Sequence, residues 1–165
     1  MPASKRPSGV QTARLDERLR VAIPARMLEA FRAVAEELAG QPLGDSLDVV
    51  VGIDENLQLA VFPKAAHERL VEMIEAKPRT QAWSRIRSFV TGYLEEMQLD
   101  KQNRFRIPEP LAKAARIESE VMIVGQADRL LIKPAALAIE ELAVALGNPA
   151  ALLAQADREE LERAR

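Results

Sequence analysis

The chain has 165 residues, of which 48% are hydrophobic and 29% charged, a composition that fits a folded globular protein rather than a disordered one. It contains no cysteine, so disulfides, thiol catalysis and thiolate metal sites are excluded. No apolar run approaches the roughly 20 residues that span a bilayer, and the N-terminus lacks the apolar segment of a secretory signal. A cytoplasmic protein without membrane contact is therefore expected.

The formal net charge of −2 conceals an uneven distribution along the chain. Residues 1–26 carry six bases against two acids, residues 77–87 carry four bases and no acid, and residues 101–116 carry five bases against one acid. Residues 28–76 and 117–165 are acidic. This asymmetry suits an anionic partner that contacts a small part of the surface, although charges that only decorate solvated faces would give the same pattern.

Hydrophobic periodicity and turn residues predict the same order of elements in both halves. In the first half we expect strand 20–23, a helix from Pro24 to Gly40, strands 48–51 and 57–61, and helix 64–76. After a connecting helix over 83–94, the second half predicts strand 104–107, a helix from Pro108 to Ala115, and strands 121–124 and 130–132. Residues 135–165 look helical, with a break near Gly147 and Pro149.

These elements divide into a first repeat at residues 8–76, a connecting helix at 77–98, a second repeat at 99–134 and a helical tail at 135–165. A unit with two short hairpins buries too little surface to be stable alone. Two copies in one chain can supply each other's core, so we expect a pseudo-dimer with approximate two-fold symmetry.

The repetition is clearest in one ten-residue segment. Residues 15–24 read LDERLRVAIP and residues 99–108 read LDKQNRFRIP, so leucine, aspartate, arginine, isoleucine and proline recur at the same positions. An aspartate commonly opens a tight turn because its carboxylate accepts backbone N–H bonds from residues further along. Asp16 and Asp100 are therefore predicted to structure two equivalent turns.

Alternation along the strand after each turn separates a core face from an outer face. Val21 and Ile23, and equally Phe105 and Ile107, are predicted to point into the core. The side chains predicted to face outward are Arg18, Arg20, Arg104 and Arg106. A planar guanidinium can bind a phosphate or guanine O6 and N7 through two hydrogen bonds, which a lysine cannot do.

Two interpretations of these arginines remain open from the residues alone. Arg20 and Arg104 fit equally well an ion pair that clamps each turn to its aspartate, or a contact with an anionic partner. Lys101, Arg14 and Arg18 are expected to be solvated and to matter only where a phosphate backbone comes near.

Duplicated Asp-x-x-x-Arg turns, each followed by a strand ending at Ile-Pro and then a helix, resemble the MraZ family of the AbrB-like swapped-hairpin superfamily. The likeness extends from about Ser8 to Pro134 and is strongest in FVTGYLEEMQLDKQNRFRIPEPL and EVMIVGQADRL. Gly9, seven residues before Asp16, also stands where the family has a glycine. One such turn is a weak signal, whereas two in register with matching strands and prolines are specific.

The resemblance implies an α+β fold with two tandem AbrB-like swapped-hairpin β-barrel units around a pseudo-two-fold, double-psi-like core, with flanking helices. It implies a ring-shaped homo-oligomer that binds double-stranded DNA at short direct repeats upstream of the division and cell-wall gene cluster, usually as a repressor, in the nucleoid. No cofactor, metal or small-molecule substrate is implied. Arg20, with Arg18 in place of the motif lysine, is the leading DNA-binding residue, followed by Arg104.

The chain departs from the family motif at the position before each arginine, where the family commonly has glycine. Asn103 tolerates a positive φ, whereas Leu19 would be strained there. We therefore expect either that the first turn has a different shape or that it presents its arginine differently.

The residues also bear on two other classes of function. The single histidine, His67, is expected to pack within a helix, and the chain has neither a glycine-rich phosphate loop nor a nucleophile elbow, so an enzyme is not expected. An AbrB-like antitoxin or another protein-interaction module is the alternative, with the charged C-terminus wrapping a partner. Antitoxins usually carry one hairpin motif, so the two motifs favour a DNA-binding regulator.

Overall fold

The computed structural model describes residues 6–165 and confirms the α+β class. The first five residues, part of the stretch predicted not to be a secretory signal, lie outside the described residues. The first half contains β1 Val10–Arg14, β2 Arg20–Ala22, α1 Ala25–Ala39, β3 Asp48–Ile53, β4 Leu59–Pro63, α2 Lys64–Glu75 and α3 Gln81–Gly92. The second contains β5 Leu94–Gln98, β6 Arg104–Arg106, α4 Glu109–Ala114, β7 Glu120–Gln126, β8 Arg129–Pro134, α5 Ala135–Gly147 and α6 Pro149–Arg163.

The two repeats exchange their first strands. Six strands form an antiparallel sheet in the order β1-β7-β8-β4-β3-β5, so β1 completes the hairpin of the second repeat and β5 completes the hairpin of the first. Val10 lies opposite Val124, and the equivalent Leu94 lies opposite Gly52. When each strand is replaced by its counterpart in the other repeat, the same order is read from the opposite edge of the sheet, so the two halves interleave around a pseudo-two-fold axis.

The remaining strands, β2 and β6, pair only with each other and form a two-stranded ribbon. Each has three residues, and Arg20 lies opposite Arg106, Val21 opposite Phe105 and Ala22 opposite Arg104. Among the described residues the six-stranded sheet and the ribbon do not join into a closed barrel. Strands this short do not bridge the edges of the sheet, which ends at β1 and β5 as an open sheet.

The predicted connecting helix was also too long. Helix α3 ends at Gly92, and Leu94, predicted to be its last apolar residue, begins β5. The sequence misleads here because Leu94 and Met97 are three residues apart, a helical spacing, while β5 is an edge strand with little covered surface. The counterpart β1, VQTAR, is just as polar and was not predicted.

The six-stranded sheet has a hydrophobic core on each face. The first core packs Val51 and Ile123 of the sheet against Val21 and Phe105 of the ribbon and Phe31 of α1. The second core packs the opposite face of the sheet against α2 and α3 through Ala60, Phe62, Leu70, Ile74, Val90 and Leu131. The inward orientation predicted for the apolar residues of the repeated strands is confirmed, because Val21, Ile23, Phe105 and Ile107 are all buried.

His67 packs inside α2, as expected, with its ring edge-on to Phe62 at 5.4 Å between centroids. Burial lowers the pKa of its imidazole below the usual value, although a hydrogen bond with the Val90 backbone opposes the shift. Its Nε2 has no hydrogen-bond partner within residues 6–165. The histidine is therefore a neutral packing residue of the second core.

Residues 135–165 form a compact unit separate from the preceding chain. Two helices make up this unit: α5 ends at Gly147, Asn148 caps α6 through its side chain, and Pro149 occupies the first turn of α6. Within the described chain no single helix is long and apolar enough to cross a membrane. Taken together, α5 and α6 reach the required length and composition, but they are bent by 85°.

Gly125 provides a test of the close contact between the N-terminal segment and β7. Its N–H donates to the Gly9 carbonyl at 2.9 Å, and an added Cβ would lie 2.3 Å from the Ser8 nitrogen. We expect Gly125→Ala to displace this segment and to lower the free energy of unfolding by about 1–3 kcal/mol, as overpacking does. Urea unfolding measures the loss. Gly44→Ala, which meets no atom within 4 Å, is the control, and equal losses in both variants would contradict the prediction.

Candidate functional site

The two repeated segments fold into identical turns. Asp16 Oδ1 accepts hydrogen bonds from the backbone N–H groups of Arg18 and Arg20, each at 2.9 Å. Asp100 Oδ1 accepts the equivalent bonds from Gln102 and Arg104, also at 2.9 Å. The prediction that the aspartates structure these turns is thus consistent with the geometry of both copies.

Leu19 adopts the left-handed conformation, with φ 59°, and Asn103 has the same φ. The first turn therefore keeps its shape despite lacking glycine or asparagine. A left-handed leucine costs roughly 1–2 kcal/mol, but here its side chain packs against the first core. The carbonyl of Leu19 accepts a hydrogen bond from Ile107 N–H, and the carbonyl of Asn103 accepts one from Ile23 N–H, both at 2.9 Å. Each turn is therefore hydrogen-bonded to the strand of the other repeat.

Each arginine is held by its aspartate through one edge of the guanidinium group. The Nε of Arg20 donates to Asp16 Oδ2 and the Nε of Arg104 donates to Asp100 Oδ2, both at 2.7 Å. Arg104 Nη1 also lies 3.7 Å from Asp16 Oδ2. Within the described chain, the Nη1 and Nη2 groups of Arg20 have no partner, so its terminal edge is available to bind a further acceptor.

The turn hydrogen bonds shift the pKa of both aspartates. The backbone N–H of Arg20 is the main cause of the lowered pKa of Asp16, and the Arg20 side chain adds to it. Partial burial works against the shift at Asp100, but the N–H and side-chain bonds from Arg104 and the N–H of Gln102 outweigh it, and its pKa is lowered too. Both carboxylates are therefore stabilised in the charged form that holds the arginines.

A third turn in the chain has the same backbone bonds without an arginine at the fifth position. In the β3–β4 hairpin, Asp54 Oδ1 accepts from Asn56 N–H and Gln58 N–H at 2.9 Å, and Leu57 has φ 60°. The backbone of this turn therefore forms with glutamine where the repeated segments have Arg20 and Arg104. The backbone N–H bonds of the turn therefore do not require an arginine at the fifth position. In the third turn Arg129 of the other repeat lies beside Asp54 Oδ2 instead.

Arg129 joins this third turn to the hairpin of the second repeat. Its guanidinium bonds to Glu55, lies 3.5 Å from Asp54 Oδ2, and donates to Asp128 Oδ1 at 2.9 Å. It also stacks over Phe62, with 4.9 Å to the ring centroid. Burial raises the pKa of Asp54 despite the N–H bonds of its turn. This buried cluster is an inter-repeat clamp and leaves no exposed guanidinium edge.

The ribbon brings only some of the predicted site residues together. Arg20, Arg104 and Arg106 lie on the ribbon, but Arg106 is paired with Glu95 of β5 at 3.2 Å. The exposed Arg18 and Lys101 lie in the two turns at the ribbon's ends. Arg14 lies apart from the ribbon, on β1 opposite Glu120.

Sequence reasoning missed Glu95, Asp54 and Arg129. Strand alternation in residues 94–98 is the signal for Glu95, but the helical spacing of Leu94 and Met97 masks it. The DENLQ segment carries the signal for the third turn, since its aspartate and the residue four later match the spacing of the repeated motif. Across residues 6–165 no group of three His, Asp or Glu side chains is arranged to hold a metal ion.

The interleaved repeats and the paired Asp–Arg turns on one ribbon define an intramolecular swapped-hairpin pseudo-dimer. The family model described as "MraZ protein, putative antitoxin-like" matches residues 94–137. A "Transcriptional regulator MraZ" of Methylococcus capsulatus is 34% identical over 125 residues, covering 75% of this chain and 76% of the relative. Proteins with the same name from Heliobacterium modesticaldum and Micrococcus luteus are each 32% identical, over 72% and 75% of this chain and 73% and 78% of their own lengths.

The chain therefore belongs to the MraZ family, as its motifs predicted. The curated relatives are named transcriptional regulators, and the family is not enzymatic, which confirms the expectation that this chain is not an enzyme.

The lowered pKa values of Asp16 and Asp100 predict an acid-sensitive contribution to stability. Because both folded pKa values lie below the ordinary 3.8, this contribution is present above that pH and is lost as pH falls through the folded values. Asp100→Asn should therefore be less stable than wild type at pH 7, and the difference should shrink below about pH 3.8. Urea unfolding across pH measures it. Asp45→Asn is the control, because this exposed carboxylate makes no hydrogen bond or ion pair within residues 6–165. A difference that persists unchanged in acid would contradict the prediction.

Proposed function

We propose that this chain is a transcriptional regulator that binds double-stranded DNA with the β2–β6 ribbon and its two turns. The observation that carries this proposal is the unpartnered terminal edge of Arg20, held outward by Asp16 through Nε. Its side chain is 31% exposed, so the guanidinium is partly desolvated yet reachable. The curated relatives, named transcriptional regulators, support the same class of function.

The chemistry of the ribbon fits the major groove of DNA. A two-stranded antiparallel ribbon is narrow enough to enter this groove, which is about 12 Å wide. A guanidinium edge with two donors can bind guanine O6 and N7, or a phosphate, with a geometry that a point charge cannot match. Lys101 and Arg18, exposed in the turns, would contact the phosphate backbone. Arg14, on the edge strand β1, would contact at most a phosphate that flanks the bound site.

The acids beside the arginines make a single chain a weak binder. Asp16, Asp100 and Glu95 offset the charges of Arg20, Arg104 and Arg106, so affinity has to come from several contacts acting together. We therefore include in the proposal a ring-shaped homo-oligomer that presents several ribbons to short direct repeats. The family resemblance further suggests repression of the division and cell-wall gene cluster by a cytoplasmic, nucleoid-associated protein.

An antitoxin or another protein-interaction module is the second candidate function. The description of the matching family model as antitoxin-like favours it. The acidic end of the tail, from Asp157 to Arg165, would then contact a protein partner and the arginine edges would be dispensable.

The decisive variant is Arg20→Gln, because glutamine stands at the equivalent position of the third turn, where the same backbone N–H bond to the aspartate forms. We expect its affinity for DNA upstream of the protein's own gene to fall by about 10- to 100-fold, the 1–3 kcal/mol of a lost two-donor base contact, while its melting temperature changes little. Fluorescence anisotropy at two salt concentrations measures the affinity.

Two further variants make this measurement specific. Arg85→Gln, which removes one exposed arginine of α3, should leave the affinity nearly unchanged. Arg104→Gln tests the second copy, and a loss confined to that variant would transfer the base-reading role from Arg20 to Arg104. Failure of the wild type to bind any sequence specifically would contradict DNA recognition and favour the protein-partner candidate.

A further inference from the structure

The ribbon carries a like-charge pair of arginines at one of its ends. Arg106 lies directly opposite Arg20 in the register of β2 and β6, and opposite residues of an antiparallel pair have Cβ atoms about 4.5–5.5 Å apart. Like charges in this position repel each other and destabilise the pairing of the strands. At the other end of the ribbon, Arg104 lies opposite the uncharged Ala22. The Arg20 end therefore holds two guanidinium groups that strand pairing by itself disfavours.

Glu95 of the edge strand β5 holds the second of these arginines. Arg106 Nη2 donates to Glu95 Oε1 at 3.2 Å and to Glu95 Oε2 at 3.3 Å, so both carboxylate oxygens bind the same nitrogen. The Nε and Nη1 groups of Arg106 have no partner within residues 6–165. Glu95 therefore acts on Arg106 as Asp16 acts on Arg20, because it fixes one part of the guanidinium group and leaves other donors available.

The fold depends little on the pair of Glu95 and Arg106. Their side chains are 40% and 50% exposed, and an exposed ion pair adds little to the free energy of unfolding because water and salt screen it. The equivalent place in the first repeat has Gln11 and Ala22, and there β1 and the ribbon form without an ion pair. The two charges are therefore available for a contact outside the fold.

The separation of Arg20 and Arg106 is compatible with the spacing of bases in DNA. Successive bases lie about 3.4 Å apart along one strand, so side chains whose Cβ atoms are about 5 Å apart can reach neighbouring base pairs. A guanidinium group that is fixed by a carboxylate binds base acceptors in a defined direction. A free arginine instead binds any phosphate within its reach, and such contacts carry no sequence information. The Glu95 carboxylate thus decides which of these contacts Arg106 makes.

We infer that Glu95 is a positioning residue of the DNA interface, which directs Arg106 to a base edge beside the one bound by Arg20 and keeps it from non-specific phosphate contacts. This inference rests on the DNA binding proposed above and adds to it the residue that sets sequence specificity at one end of the ribbon.

The test compares two neighbouring glutamates of β5 in the full chain. Glu95→Gln and Glu96→Gln each remove one negative charge, but Glu96 points to the opposite face of the strand and lies 3.8 Å from Lys64 of α2. Only Glu95→Gln releases Arg106. Fluorescence anisotropy over a salt series, with DNA from upstream of the protein's own gene and with random duplex DNA, measures the affinity and its salt dependence.

We expect the released arginine of Glu95→Gln to bind one additional phosphate of the random duplex. The slope of log Kobs against log salt should then steepen by about 0.9, and the ratio of specific to random affinity should fall by about tenfold, as for one lost base contact. Glu96→Gln should keep the wild-type slope and ratio. The melting temperatures of both variants should stay close to wild type, because each variant removes only an exposed ion pair.

Arg106→Gln separates positioning by Glu95 from a direct contact between Glu95 and DNA. This variant should lose about tenfold in specific affinity. Adding Glu95→Gln to it should then change the affinity no more than adding Glu96→Gln does, because Glu95 acts through Arg106.

Two results would overturn the inference alone. Equal effects of Glu95→Gln and Glu96→Gln would show only a general effect of charge, and an effect of Glu95→Gln that persists without Arg106 would mean that Glu95 touches DNA itself. In both cases a loss of affinity in Arg20→Gln would leave the proposed DNA recognition intact. A wild type without specific binding would overturn the inference and the proposed function together.

Discussion

The exchange of first strands between the repeats is the constraint on which the rest of the structure depends. Because β1 completes the hairpin of the second repeat and β5 completes that of the first, neither half can form its part of the sheet alone. The same exchange carries the turns after β1 and β5 into contact, where β2 and β6 pair and close the first core. Core, sheet and ribbon therefore form as one cooperative unit.

The chain uses one type of turn, centred on an aspartate, for two purposes. All three Asp-centred turns share the same N–H bonds and a left-handed residue, including leucine at two of them. In the β3–β4 hairpin the arginine that meets the aspartate comes from the other repeat and is buried. In the ribbon it comes from within the turn and keeps an outward edge. The three turns have the same backbone, so their location in the fold decides the role of the arginine. The buried arginine beside the third turn has a structural role, whereas those on the ribbon can contact a partner.

Much of this arrangement could be predicted from the sequence, because repetition and alternation are local signals. The duplicated turns, the buried Val21 and Phe105, the outward arginines and the broken helical tail all follow from spacing. The edge strands β1 and β5 could not be predicted. Their residues are mostly polar because only one side of each strand is covered, and such a composition is also typical of an exposed helix. Glu95 and Arg129 were missed because their partners lie 11 and 74 residues away in the chain, and such ion pairs are created only by the interleaved pairing.

The pairing of β1 with β7 also determines when this chain can fold. Val10 and Val124 are partners in the sheet, so the first strand emerges from the ribosome long before its neighbour is synthesised. Such non-local pairing carries a high loop-closure cost and slows folding relative to local topologies. During that interval an unpaired β1 can meet the β7 edge of another nascent chain. Because the two half-domains of this chain are joined by exchanged strands, the same strands can also be exchanged between two chains.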